Sequence, residues 1–133
     1  MSELWRLPGY EISELVRSKQ ISAVEVTKVH LDRLKEVNPK LNAVVQEMPD
    51  EAIEDAKEID RKIEIGKDPG ILCGVPLTIK VLADQKGFAT TNGLKIQKDL
   101  IATTDSPIVS NVKKAGAVVI GRTKTPAISL WCF

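Results

Sequence analysis

The first half of the chain is patterned at helical spacing. Between Tyr10 and Lys19 the apolar residues Ile12, Leu15 and Val16 recur three and four apart, which predicts a short amphipathic helix ending near Gln20. Ser22-Ala23-Val24-Glu25 has the pattern of a capping box, in which the serine hydroxyl accepts an orphan amide proton and the glutamate reaches back. A second helix follows, with a stripe through Ala23, Val26, Val29 or His30, Leu34 and Val37, and Asn38-Pro39 is expected to stop it. Leu41 to Met48, with β-branched Val44 and Val45, reads as a strand between turn signals. A third helix is predicted from an Asp50 cap, with Ile53, Ala56, Ile59 or Asp60, and Ile63 inside and Gly66 closing it. Its many charges, such as Glu54 and Glu58 against Arg61 and Lys62, are a solvated face.

The second half changes period. Pro76 to Leu82 reads as a strand, Asp84 to Asn92 as a turn-rich loop, and Ser106 to Lys114 as a helix with Pro107 at its first position and Gly116 ending it. Ala117 to Ile120 are all apolar before Gly121, the pattern of a strand covered on both faces. A helix feeding such a strand is half of a crossover unit. The class is α/β: N-terminal helices followed by part of a mixed β-sheet flanked by helices.

Length, charge and cysteine content narrow the setting. At 133 residues and 43% hydrophobic the chain suits one folding unit with a real core. Its 19 basic and 18 acidic residues nearly cancel, so no global field draws it to nucleic acid or to an anionic membrane. The N-terminus lacks the pattern of a secretory signal and no apolar run has spanning length, so a cytoplasmic location is expected. Cys73 and Cys132 form no C-x-x-C pair and are read as reduced thiols without chemistry. His30, the one histidine, has no second ligand at metal spacing and is read as a packing residue. No metal and no cofactor is expected.

Lys80 is the residue that interrupts the apolar strand. Alternation puts Leu77, Ile79 and Val81 on one side and Pro76, Thr78, Lys80 and Leu82 on the other. An edge lysine that discourages aggregation is one account. A catalytic base is another, and it needs burial: a lysine near its ordinary pKa of about 10.4 is uncharged only about once in several thousand at pH 7, whereas an apolar setting disfavours the ammonium.

The wider order of motifs bears on that choice. The "NPKLNAVV" element, the "GVPLTIK" strand, the "TTNG" loop, the "AGAVVIGRT" strand and the following "TP" resemble, in sequence order and spacing, the N-terminal part of the amidase-signature enzymes. The resemblance implies a hydrolase or amidotransferase acting on amide carbon–nitrogen bonds through a serine nucleophile, a second serine in a cis peptide, and a lysine that accepts the relayed proton. Lys80 matches that lysine. The family's serines and oxyanion-hole amides lie in a Gly/Ser-rich segment downstream of "GRT-x-TP", and the 133 residues contain no such stretch.

The domain is therefore expected to be incomplete over 1–133, with no nucleophile of its own and little activity alone. Ser106 is expected to cap a helix, Ser110 to lie on a helix surface and Ser129 to belong to a terminal segment. Lys124 stands where the family commonly has asparagine, and Leu94 where it often has serine. Thr90 to Gly93 are read as a tight turn with the glycine at positive φ. Two outcomes are open. Either a small amide substrate is handled once a C-terminal half completes the site, or the chain is a non-catalytic binding or oligomerisation module paired with itself or a complementing chain. The first predicts that the strand at 117–121 lacks some of its neighbours and that the terminal "LWCF" is exposed or covered by another molecule.

Overall fold

The computed structural model describes residues 3–130. Four helices, α1 (Gly9–Arg17), α2 (Ala23–Leu41), α3 (Pro49–Glu64) and α4 (Pro107–Lys114), surround a sheet of β1 (Val44–Glu47), β2 (Pro76–Lys80) and β3 (Val118–Thr123). The sheet is mixed, in the order β1-β3-β2: β1 runs antiparallel to β3, and β2 runs parallel to it. The β2–α4–β3 sequence is the crossover expected of a parallel pair. Among the described residues no helix is long and apolar enough to cross a membrane.

Every residue of β3 from Val118 to Arg122 is buried, because β3 is covered on both faces. On one face Val118 and Ile120 pack with Ile12 and Val16 of α1, Ala23, Val26 and Leu31 of α2, and Ala52, Ala56 and Ile59 of α3. On the other, Val119 packs with Ile79, Val109 of α4, Met48 and Ala83. Fully burying one such aliphatic side chain contributes about 1.5–3 kcal/mol, so β3 anchors both layers. It has strands on both sides. This corrects the expectation that the 117–121 strand would lack neighbours: the open edges belong to β1 and β2. Of the terminal "LWCF", Leu130 is exposed and the rest lies outside the described residues.

Several helix ends differ from their sequence reading. Ser22 caps α2 as expected, its Oγ accepting from the Glu25 amide at 3.0 Å. Asp60 of α3 supplies the further acceptors, its carboxylate taking the amides of Ala23 at 2.7 Å and Val24 at 3.2 Å. One side chain thus satisfies two orphan donors of α2 while pinning α3 beside it. Pro39 does not stop α2, which runs on to Leu41 and closes with Asn42 in the left-handed region. Pro39 forfeits the one amide that would donate to the Lys35 carbonyl, and the helix still closes beyond it through the Asn42 amide on the Asn38 carbonyl at 2.6 Å. Asn38 makes the real junction: its Oδ1 accepts from the amides of Ala43 and Val44, and its Nδ2 donates to the Val44 carbonyl. The helix end and the first residue of β1 are thereby fixed together, and β1 is shorter than the 41–48 run. α3 begins with Pro49 as its first helical residue, so Asp50 lies in the first turn and does not cap it.

A close approach of two backbones sets the parallel pair. The Leu72 amide donates to the Ala115 carbonyl and the Gly74 amide to the Gly116 carbonyl, which delivers the chain from α3 to β2 beside the start of β3. Gly116 sits at φ +87°, and a Cβ there would collide with the Pro69 carbonyl oxygen. Only glycine allows this crossing.

Removing the shared cap should loosen the helical layer without altering the sheet. Asp60→Ala is expected to lose about 1–2 kcal/mol. The reading is a lower urea midpoint with an unchanged m-value. Glu54→Ala, which removes only an exposed ion pair with Lys57, should stay within about 0.5 kcal/mol of the parent.

Candidate active site

β2 and β3 end side by side, with Lys80 opposite Thr123 and the Val81 amide donating to the Thr123 carbonyl at 3.0 Å. The region beyond the carboxyl ends of parallel strands is where α/β sheets build ligand sites, because loops diverge there and leave a crevice. The strand ends at Lys80, two residues short of the expected Leu82, because the Ala83 amide turns back to the Lys80 carbonyl at 3.0 Å; within it the alternation holds, Ile79 being 6% exposed while Thr78 and Lys80 face outward. Lys80 is exposed, unlike the buried lysine that the resemblance implies. The helical layer covers β3 and the start of β2 and leaves the Thr78–Lys80 face bare.

Arg122 lies beneath the loop that follows Lys80. Its side chain is fully buried, and its guanidinium donates to the Ala89 carbonyl at 2.7 Å and to the Ala83 carbonyl at 2.8 Å. The two bonds clamp both ends of the 83–89 loop to β3. Burial draws the Arg122 pKa downward and the charge of Asp84 opposes that shift, but a guanidinium stays protonated in either case. Asp84 in turn accepts from the Thr90 hydroxyl, and its carbonyl accepts from the Ser106 amide at 2.8 Å. Asp105 closes the outside of the loop, accepting from the Lys86 amide at 2.7 Å and from Lys113 Nζ at 3.1 Å. Sequence reasoning missed Arg122 and Asp105. The available signal for Arg122 was a cation placed directly after a doubly covered strand.

The "TTNG" and "TKTP" segments meet at the same end. The Leu94 amide donates to the Thr91 carbonyl, and the two central residues Asn92 and Gly93 both have positive φ, so the expected turn is present. The Ile128 amide donates to the Asn92 carbonyl at 2.7 Å. A Cβ on Gly93 would lie 2.7 Å from the Thr125 carbonyl oxygen, so the turn is packed directly on the 125–126 backbone. Lys124 is exposed and Leu94 half-buried.

The serines have other occupations. Ser106 sits at the N-cap of α4 as expected, but its Oγ makes no capping bond and is buried without a partner. Ser110 is half-buried on α4, and the Ser129 hydroxyl lies 2.6 Å from that of Thr125. His30 is half-buried in α2, with Nδ1 2.8 Å from the Val26 carbonyl oxygen. Cys73 is buried, and that burial pushes its thiol pKa up. Cys132 lies outside the described residues.

A model of the Amidase family matches residues 25–133, and the chain belongs to that family. It is 45% identical over 126 residues to the indoleacetamide hydrolase of Bradyrhizobium diazoefficiens, covering 95% of this chain and 24% of that protein. It is 42% identical over 121 residues to a glutamyl-tRNA(Gln) amidotransferase subunit of Carboxydothermus hydrogenoformans, covering 91% and 25%. Among solved structures it is similar to a bacterial aryl acylamidase of the amidase-signature family, with a TM-score of 0.87 and 34% identity over 92% of this chain and 26% of that one. The chain spans about a quarter of the length of the curated relatives it matches.

Two measurements probe the loop clamp. Arg122→Met leaves the Ala83 and Ala89 carbonyls without donors and should lose about 2–4 kcal/mol in urea unfolding. For Asp105, burial pushes the carboxyl up, but the Lys86 amide and the Lys113 ammonium together carry it below its ordinary value. A carboxyl depressed in the folded state stabilises above its unfolded pKa and loses that contribution as pH falls through the lower folded value. Stability should therefore drop below about pH 4. Asp105→Asn should be less stable at neutral pH and should remove this part of the acid dependence.

Proposed function

We propose that residues 1–133 supply the lysine-bearing part of an amide-hydrolysing site, with Lys80 as its base. The serine nucleophile, the second serine and the oxyanion donors come from sequence outside these residues. The observation that carries this reading is the placement of Lys80 at the carboxyl end of the parallel β2–β3 pair, in a chain belonging to the Amidase family. The "TTNG" turn and the "TKTP" segment converge on the same end, which supports a built site there.

In the reaction the serine hydroxyl attacks the amide carbonyl and passes its proton through the second serine to the Lys80 amine. The resulting ammonium returns a proton to the departing amine, and water, giving its proton up along the same route, then cleaves the acyl-serine ester to free the acid and restore the serine. That cycle begins with an uncharged amine, so Lys80 works only when the part of the protein that carries the serines also shields it from water. The 133 residues by themselves are inactive on this reading. The substrate class is an amide: the names indoleacetamide hydrolase, fatty-acid amide hydrolase and aryl acylamidase share that bond and differ in everything attached to it. A cytoplasmic setting suits the unpaired, buried Cys73 thiol.

The test compares the chain alone with the chain fused to the remaining three quarters of the 45% identical indoleacetamide hydrolase. Ammonia release from indole-3-acetamide should be at background for the chain alone and measurable for the fusion. Lys80→Ala in the fusion should lower kcat by about 10²–10⁴-fold. An unchanged rate in that variant would rule out Lys80 as the base.

A further inference from the structure

The chain has four asparagines, and one stands apart chemically. An asparagine side chain is open to attack at Cγ by the backbone nitrogen of the next residue when that nitrogen is free and uncrowded. Asn38 precedes Pro39, whose nitrogen has no proton to lose. Asn42 precedes Ala43, whose amide already donates to Asn38 Oδ1 at 3.1 Å. Asn111 lies inside α4 before β-branched Val112, where helical geometry and the branched side chain hold the two groups apart. Asn92 precedes Gly93, which has no side chain to block the approach. Gly93 is exposed, and its amide makes a long contact with Thr91 Oγ1, at 3.4 Å.

The same turn holds a strained neighbour in place. The Asn92 carbonyl accepts from the Ile128 amide, and Gly93 packs on the 125–126 backbone. Ile128 and Ser129 both sit in the left-handed region, at φ +53° and +56°. That conformation is unfavourable for a β-branched residue, so it persists at Ile128 because the contacts around it outweigh the strain. A further bond restrains Asn92 itself: its Nδ2 donates to Gln97 Oε1 at 2.9 Å, which fixes the side-chain amide.

We propose that Asn92-Gly93 is a site of spontaneous modification, at which succinimide formation and hydrolysis release the 125–130 segment from the turn. The Gly93 nitrogen attacks Asn92 Cγ, the bond from Cγ to Nδ2 breaks, and ammonia leaves, taking up the proton that the Gly93 amide gives up. Water then opens the ring at Cγ, leaving an aspartate, or at the former backbone carbonyl, leaving an isoaspartate. In the isoaspartate the backbone runs through Cβ and Cγ, which lengthens the turn by one methylene. The carbonyl that accepted from Ile128 becomes part of a free carboxylate. The turn thereby loses its geometry, and the 128–129 backbone relaxes out of the left-handed region. Gln97 is the brake, because the ring closes only when Nδ2 has left Gln97 Oε1. Nothing in this chemistry involves Lys80, so it stands apart from the proposed base.

The test incubates the 133-residue chain in mildly alkaline buffer, where more of the attacking nitrogen is deprotonated, and follows each asparagine by peptide mapping with mass spectrometry. Conversion at position 92 should be at least about 10-fold faster than at Asn42 or Asn111. Gln97→Ala should speed it by a further factor of about 2–10, the range that loss of one neutral hydrogen bond covers. The rates at Asn42 and Asn111 should stay as they were, since they would rise together if the variant merely unfolded. In the isolated isoaspartate form, the Ile128 amide should exchange with solvent at least about 10-fold faster than in the unmodified chain, with the β3 amides unchanged. The proposal is overturned by conversion at position 92 no faster than at the other asparagines. It is overturned equally by a Gln97→Ala variant that converts at the parent's rate or raises all three rates alike, and by an isoaspartate form whose Ile128 amide is as protected as before.

Discussion

The buried guanidinium of Arg122 is the constraint on which the candidate end of the sheet depends. A charge that is withdrawn from water loses solvation that only well-placed acceptors can replace. Here those acceptors are the Ala83 and Ala89 carbonyls, at the two ends of one loop. The loop cannot move outward without breaking both of these bonds on a guanidinium whose Nε is already buried without a partner, and the guanidinium cannot leave because β3 holds its backbone between two layers. Asp105 and the Asp84–Thr90 bond brace the same loop from the other side. Lys80, three residues before the first clamped carbonyl, inherits its position from this arrangement.

The helical layer and the glycine crossing do the complementary work of bringing β2 to β3 in parallel. Asp60 locks α2 to α3, Asn38 locks α2 to β1, and the Gly116 contact with Pro69 lets the chain reach the start of β2. All of these act on the amino-terminal half of β2 or on its neighbours. The carboxyl end is held from beneath by Arg122 and is left open above and to the side. The packing is thus closed around β3 and open around Lys80, an asymmetry that follows from which residues carry it.

Local pattern made much of this legible. The β3 strand was readable because four consecutive apolar residues have no other reason to occur before a glycine, and its two-sided burial followed. The helices were readable from their stripes, and the Thr91–Leu94 turn from Asn-Gly. The end of α2 was misread because a stop rule counts the proline and not the Asn38 side-chain bonds that set the junction with β1. The strand neighbours of β3 were misjudged because pairing is decided by contacts far apart in sequence. Arg122 was missed for a related reason: a charge following the expected 117–121 strand reads as surface unless the loop that will cover it is already known.

Lys80 shows how one residue can satisfy two accounts that looked exclusive. As an edge residue it does what an exposed lysine does on an open strand, placing a charge where a second chain would otherwise pair without discrimination. As a catalytic base it must be shielded from water. Both accounts are compatible on the proposed function if the part of the protein that carries the serines also covers this edge. Burying the Lys80 ammonium is favourable only if the part that covers it offers a partner for the amine. On the proposed function the exposed Lys80 is an edge charge in this chain and a base only once it is covered, so one position answers to both accounts in turn.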